Sequence, residues 1–167
     1  MSHYVFMALL DPSGNLVWTK TLYVGTGGNN FSFYPYSLDI AANDDILLAG
    51  NYLPGGTAYM RLDQNGNFLW GKSIADNATF LNQIISLSNG DLALHMGNSN
   101  QVSDGVPKNM ISVLDPSGNI KLTRSFGYAN VTLNYACGLG QDAAGHIVGI
   151  GYTYPTMTGG IHFYSMD

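Results

Sequence analysis

Residues 10–18 of the chain read Leu10-Asp-Pro-Ser-Gly-Asn-Leu-Val-Trp18. The same pattern returns as Leu62-Asp-Gln-Asn-Gly-Asn-Phe-Leu-Trp70 and again as Leu114-Asp-Pro-Ser-Gly-Asn-Ile-Lys-Leu122. Consecutive copies of the leading aspartate, Asp11, Asp63 and Asp115, are 52 residues apart. A fixed period of this length indicates a repeat architecture, because each copy of the motif marks the same point of a recurring structural unit.

The residue types of the motif predict a tight turn between two β-strands. The leading aspartate can accept hydrogen bonds from backbone amides further along the turn, and Pro12 or Pro116 fixes the next φ angle. The glycine in fourth position supplies the left-handed conformation that closes the loop. The turn residues predicted in this way are Asp11, Gly14, Asp63, Gly66, Asp115 and Gly118.

Short runs of alternating apolar residues, bounded by turn residues, fill the rest of the chain, and none keeps helical spacing over about a dozen residues. We therefore predict an all-β protein in which each repeat has four strands, named a to d. Strand a is expected at residues 33–41, 81–87 and 135–141, and strand b at 46–52, 92–98 and 147–153. Strand c is expected at 4–10, 58–62, 110–114 and 161–166, and strand d at 16–23, 68–74 and 120–126.

Four short antiparallel strands per repeat of about 50 residues are typical of β-propeller blades. The motif resembles that of bacterial β-propeller repeats of the form Leu-Asp-x-x-Gly-Asn-x-x-Trp-x-Lys. It is also loosely similar to the tryptophan-docking blades of quinoprotein dehydrogenases. The resemblance covers residues 1–167 and implies a single propeller-type domain with three four-stranded blades. It further implies that Trp18 and Trp70 pack between neighbouring blades, where the third copy carries Leu122.

Three blades are too few for a ring, since propellers typically have about four to eight. We expect a homodimer to complete a six-bladed propeller, because cyclic dimers are the commonest assemblies. The alternatives are blades supplied by another chain, a chain that is part of a longer propeller, and a less favourable trimer. Residues 4–10 and 161–166 would compete for one position where two chains meet, so we expect one of these strands to be displaced.

Composition excludes two classes of partner. The chain has six Lys and Arg residues against eleven Asp and Glu residues, a formal net charge of −5. Nucleic acids and anionic membrane surfaces both require clustered cations, so we expect neither as a partner. Residues 1–10 lack a basic signal-peptide start, and no apolar run approaches the ~18 residues of a membrane span. We expect synthesis in the cytoplasm, with association with a virus particle as one option for the final location.

The sequence carries no pattern typical of a catalytic or metal site. The motif glycine is fourth rather than sixth and no Glu follows at the calcium-loop position, while the four histidines lack zinc-ligand spacing. The single cysteine, Cys137, excludes a disulfide within the chain and is expected to be a buried core thiol. We therefore expect no enzymatic activity, no cofactor and no metal.

The remaining candidate for function is an aromatic surface. Tyrosines beside Asn and Gly suit recognition of proteins or glycans, although the same rings can fill the spaces between blades. The sequence favours a non-catalytic binding or structural assembly module, such as a component of a phage particle. A lectin-like, carbohydrate-binding propeller is the first alternative, and a propeller enzyme with loop carboxylates is the second. The candidate surface residues are Phe31, Phe33, Tyr34, Tyr36, Tyr52, Tyr152 and Tyr154.

Overall fold

The computed structural model describes residues 4–23, 32–53, 56–74, 79–98, 108–127, 131–155 and 160–166. Within these ranges the chain forms thirteen β-strands and no helix, which confirms the predicted all-β fold, and each predicted strand overlaps one of them. The strands are β1 (Tyr4–Leu10), β2 (Leu16–Tyr23), β3 (Ser32–Ile40), β4 (Ile46–Leu53), β5 (Thr57–Leu62), β6 (Phe68–Ile74), β7 (Thr79–Ser86), β8 (Leu92–Asn98), β9 (Lys108–Leu114), β10 (Ile120–Gly127), β11 (Val131–Gln141), β12 (Ile147–Pro155) and β13 (Gly160–Met166).

The strands form four antiparallel sheets in chain order: sheet I (β1–β2), sheet II (β3–β4–β5–β6), sheet III (β7–β8–β9–β10) and sheet IV (β11–β12–β13). The prediction of three four-stranded units is therefore met only in sheets II and III. Sheet I contains strands c and d, whereas sheet IV contains strands a, b and c. The two end copies of strand c pair with different neighbours, β1 with β2 and β13 with β12. Among the described residues no ladder joins sheets I and IV.

The six a–b and c–d hairpin turns share one backbone geometry. In the first c–d turn, the amide of Asp11 donates to the carbonyl of Asn15 and the amide of Gly14 donates to that of Asp11, both at 2.9 Å. The a–b turn at residues 142–146 repeats these two bonds at 3.0 and 3.1 Å. The fourth loop residue has a positive φ in every case, a conformation that glycine adopts without strain. These residues are Gly14, Asp44, Gly66, Gly90, Gly118 and Gly145.

Two β-bulges recur at equivalent places along the chain, one in strand a and one in strand d. In strand a the extra residue is Tyr36, Asn82 or Cys137, and in strand d it is Val17, Leu69 or Lys121. A bulge takes its extra residue out of the alternation of inward and outward side chains. Cys137 is consequently exposed, and the prediction of a buried thiol is wrong.

Three apolar clusters hold neighbouring sheets face to face. Between sheets II and III, Leu47 and Ala49 pack with Ile84 and Leu94. Val5 and Met7 pack with residues of sheet II, and Ile111 packs with Ile147 of sheet IV. Each sheet thus buries one face against the next sheet in chain order. Burial of a single Leu or Ile side chain is worth about 1.5–3 kcal/mol, so these faces supply the main cohesion between sheets.

Candidate functional site

The tryptophan that follows each of the first two c–d turns lies against the turn glycine of the next sheet. A Cβ atom placed on Gly66 would be 3.2 Å from Cη2 of Trp18, and one placed on Gly118 would be 2.7 Å from Cη2 of Trp70. Both indole rings therefore bridge two sheets, and both use a glycine as their contact surface. Leu122 of sheet III is half-buried, and the next turn position, Asp167, lies outside the described residues.

A lysine two residues after each tryptophan makes a second bridge at the same edge. Lys20 Nζ donates to Asn67 Oδ1 at 2.6 Å, and Lys72 Nζ donates to Asn119 Oδ1 at 2.5 Å. The two contacts are identical in residue type and in sequence separation. Sheet I is therefore placed relative to sheet II in the same way as sheet II is placed relative to sheet III.

The motif aspartates hold their own turns together. In the third turn, Asn119 donates through its backbone amide to Asp115 Oδ1 and through Nδ2 to Asp115 Oδ2, each at 2.8 Å. These bonds, that of the Asn119 side chain first, lower the pKa of the Asp115 carboxyl below 3.8. Hydrogen bonds from the corresponding asparagine also lower the pKa of Asp11 and of Asp63. Both oxygens of each carboxylate are engaged within the turn, so these groups have a structural role.

Arg61 on β5 connects two turns that belong to different sheets. Its Nε donates to Asp45 Oδ2 at 2.7 Å and its Nη2 donates to Asn43 Oδ1 at 2.9 Å, both in the a–b turn of sheet II. Its Nη1 donates to the carbonyl of Pro116 at 3.0 Å, in the c–d turn of sheet III. The side chains of Arg61 and Asp45 are almost buried, so the pair lies in a poorly solvated seam.

His95 is buried between sheets III and IV with no solvent exposure. Its Nδ1 lies 2.9 Å from the carbonyl oxygen of Gly138 and must carry the donated proton, because a carbonyl only accepts. Nε2 has no hydrogen-bond partner among the described residues, and the ring packs against Gly149. Burial lowers the pKa of His95 from 6.5 to about 4, so the ring is neutral at physiological pH. His95 lies in an apolar run on β8, so the sequence did not predict a buried histidine with this hydrogen bond.

The fold places the residues of the predicted aromatic surface in different environments. Phe33 is buried in the cluster between sheets I and II. The ring of Tyr152 stacks on Tyr135 of the neighbouring strand, with centroids 4.8 Å apart and an angle of 16° between the planes. Tyr34 and Tyr36 are exposed on β3. These four candidates therefore do not share one environment.

The other three aromatic candidates add no shared binding surface. Tyr52 packs closely on the backbone at Gly56, where an added Cβ atom would be 2.7 Å from its ring. Phe31 lies outside the described residues, as does the side chain of Tyr154, although the backbone of Tyr154 pairs with Leu133. The aromatic set predicted from the sequence is not brought together by the described residues.

A groove between β1 and β3, hereafter the β1–β3 groove, is a feature that the sequence did not reveal. Its volume is about 380 Å³, and its walls include Phe6 and Met7 from β1 and Tyr36 and Leu38 from β3. The groove lies beside the edge of β1 that carries no partner strand, where sheets II and III have strand b.

Among the described residues, no group of His, Cys, Asp or Glu side chains is placed to hold a metal ion. The same part of the chain has no helix with the length and apolar character needed to cross a membrane. No protein-family model matches the chain, and no curated protein matches its sequence.

Proposed function

We propose that the chain is a non-catalytic assembly module of the propeller type, in which the four sheets are complete or partial blades. The observation that carries this proposal is the repeated contact between c–d turns. Trp18 and Lys20 meet Gly66 and Asn67 in the same way that Trp70 and Lys72 meet Gly118 and Asn119. A single geometric step applied repeatedly generates either a ring or a continuous superhelix.

Contacts at the opposite edge of the sheets support the ring. Ser37 and Asp39 on strand a of sheet II accept hydrogen bonds from the amides of Ile84 and Ser86 on strand a of sheet III. Gln83 repeats this contact one sheet later, accepting from the amide of Leu139 at 2.6 Å. Strand a therefore lies beside strand a, and turn lies beside turn. Blades arranged around one central axis have this relationship.

The use of polar groups supports an assembly role over a catalytic one. The motif carboxylates are committed to their turns, and Arg61 with Asp45 bridges two turns. The conspicuous polar side chains of sheets II and III thus serve contacts within or between sheets. A phage particle or another exposed assembly is the setting that we propose, because the surface is rich in uncharged turn residues.

Sheets I and IV together indicate how a ring would close. Sheet IV supplies strands a and b, whereas sheet I supplies strands c and d. Two copies of the chain would therefore provide four complete internal sheets and two composite sheets, which makes six blades. This count lies within the common range of about four to eight.

Mass photometry and negative-stain electron microscopy of the purified 167-residue chain test this proposal. We expect a species of twice the 18.0 kDa chain mass and ring-shaped averages with six-fold pseudosymmetry. Trp70→Ala should reduce the fraction of rings, and the exposed substitution Leu69→Ala is its matched control. A compact monomer at all accessible concentrations, or particles without a ring, would overturn the proposal.

A further inference from the structure

We infer that the β1–β3 groove is the docking site for strands β11 and β12 of a second copy of this chain. In the docked state β12 pairs with the open edge of β1, and Leu9 lies opposite Val148 of the second copy. The inference rests on the propeller assembly proposed above and specifies its contact surface.

The first argument is the open edge of β1. In sheets II and III the corresponding edge of strand c pairs with strand b, as in the ladder of β4 with β5 and that of β8 with β9. In the described residues β1 forms a ladder only with β2, and residues 5–8 of β1 line the groove. Such an edge is a template for the addition of a strand from another chain.

The second argument is the exposure of the groove wall. Leu38 on strand a of sheet II is 59% exposed, whereas its counterpart Ile84 on strand a of sheet III is 0% exposed. Ile84 is covered by strands a and b of sheet II, but sheet I, in the part of the chain that the structure describes, has no such strands to cover Leu38. The missing cover is therefore an apolar strand pair of the a and b type.

The third argument is that sheet IV carries a matching apolar face. Val148 follows the a–b turn of sheet IV at the position that Leu47 and Ala93 occupy in sheets II and III. Leu47 and Ala93 are 0% exposed because a following sheet covers them, whereas Val148 is 39% exposed. An uncovered strand-b face and an uncovered strand-a wall thus exist on the same chain. Among the described residues no ladder joins them within one chain, so we assign their contact to two copies.

The register follows from the internal sheets. Leu47 pairs with Arg61 in sheet II, and Ala93 pairs with Val113 in sheet III. Leu9 precedes Arg61 by one repeat of 52 residues, and Val148 takes the place of Leu47. The expected pair across the two chains is therefore Leu9 with Val148.

β13 must leave its position for this pairing, because it occupies the same edge of β12. β1 is fixed by Val5 and Met7 in the cluster between sheets I and II, and it leads into β2 with its bridges from Trp18 and Lys20. We therefore assign the displacement to β13 rather than β1.

Cysteine cross-linking in the full chain tests the register. In a Cys137→Ser background, Leu9→Cys combined with Val148→Cys should form a disulfide-linked dimer on mild oxidation, because paired strand residues meet the geometric requirement for the bond. Val17→Cys combined with Val148→Cys is the control, since Val17 is more exposed than Leu9 but lies away from the open edge. We expect at least a tenfold lower dimer yield from the control.

Two further measurements separate the possible outcomes. Leu38→Asp should weaken dimerisation at least tenfold, whereas the equally drastic but remote Leu69→Asp should leave it unchanged. Amide hydrogen exchange should be faster at residues 160–166 in the dimer than in the monomer. Rings that form without the Leu9–Val148 cross-link, or that expose β1 instead of β13, would overturn this inference alone. A monomer with no cross-link would overturn it together with the propeller assembly.

Discussion

Trp70 of sheet II lies over Gly118 of sheet III so closely that the glycine has no room for a side chain. A Cβ atom on Gly118 would be 2.7 Å from both Cη2 and Cζ3 of the indole. Gly118 also has a φ of 77°, which favours glycine for a separate reason. One residue thus closes its own turn and receives the ring of the preceding sheet.

The two roles of Gly118 can be separated by comparison with Gly14. Gly14 has a φ of 84°, and a Cβ atom added to it would have no neighbouring atom within 4 Å. Gly14→Ala should therefore lower the free energy of unfolding only by the left-handed penalty of about 1–2 kcal/mol. Gly118→Ala should cost about 1–3 kcal/mol more, because the methyl group displaces Trp70. Urea unfolding of both variants measures the difference, and equal losses would show that the indole contact adds nothing.

Arg61 and Lys121 form comparable ion pairs in unequal environments. Arg61 bonds to Asp45 in an almost buried seam, whereas Lys121 bonds to Asp91 with its own side chain 52% exposed. Arg61→Ala should reduce the free energy of unfolding by about 3 kcal/mol, because it removes three hydrogen bonds of an almost buried guanidinium together with the ion pair of Asp45. Lys121→Ala should cost less, about 1 kcal/mol, because its ammonium bonds to Asp91 from a half-exposed side chain, although the Asp91 side chain is itself only 10% exposed. Denaturant midpoints of the two variants test this order, and a reversed order would contradict the buried seam.

His95 should make stability depend on pH in a defined window. The unfolded chain protonates this residue near pH 6.5, but the folded chain does so only near about pH 4. The stability it contributes is complete above pH 6.5 and is lost as the pH falls to about 4, by about 3 kcal/mol in total.

Thermal unfolding between pH 4 and 7 measures this loss. His95→Asn retains a donor for the Gly138 carbonyl but does not titrate, so its melting temperature should vary less across the window. His146→Gln removes the exposed histidine whose Nδ1 lies 2.7 Å from Asp142 Oδ2, and it measures the share of the slope that this pair contributes. A wild-type slope in His95→Asn would show that other groups cause the pH dependence.

Cys137 should react with alkylating reagents without unfolding of the chain, because the β-bulge exposes it. The reaction should nevertheless be slow at pH 7, since partial burial raises the pKa of the thiol above 9.0. Intact-mass measurement of iodoacetamide modification tests both statements, with the rate expected to rise from pH 7 to pH 9. Modification only under denaturing conditions would contradict the exposed position.

The strands were predictable from the sequence because alternating apolar residues and turn residues act locally. The turns around Asp11, Asp63 and Asp115 needed only five residues each to be recognised. The similarity of the a–b and c–d turns was also predictable, because Asp142-Ala-Ala-Gly-His146 matches the motif. We did not predict this similarity from the sequence. In sheet II the similarity is harder to recognise from the sequence, because Asp44 replaces the expected glycine.

Features that depend on which strands meet were not predictable. Cys137 lies in an apolar stretch, and only the register shift between β11 and β12 exposes it. The β1–β3 groove likewise depends on the absence, among the described residues, of a strand b on the second edge of β1, which no residue of β1 encodes. The aromatic candidates were dispersed for the same reason, because sheet packing assigned Phe33 and Tyr36 to different environments.

The shared turn geometry has a consequence for the length of the chain. Residues 63–114 begin and end at equivalent positions, so their excision would join Leu62 to Asp115 and rebuild the same Leu-Asp junction and the same loop. Duplication of this segment would preserve the same contacts, because the contact from Trp and Lys to Gly and Asn occurs both between sheets I and II and between sheets II and III. Unequal recombination in such a gene would therefore change the number of sheets without changing the type of contact between neighbouring sheets.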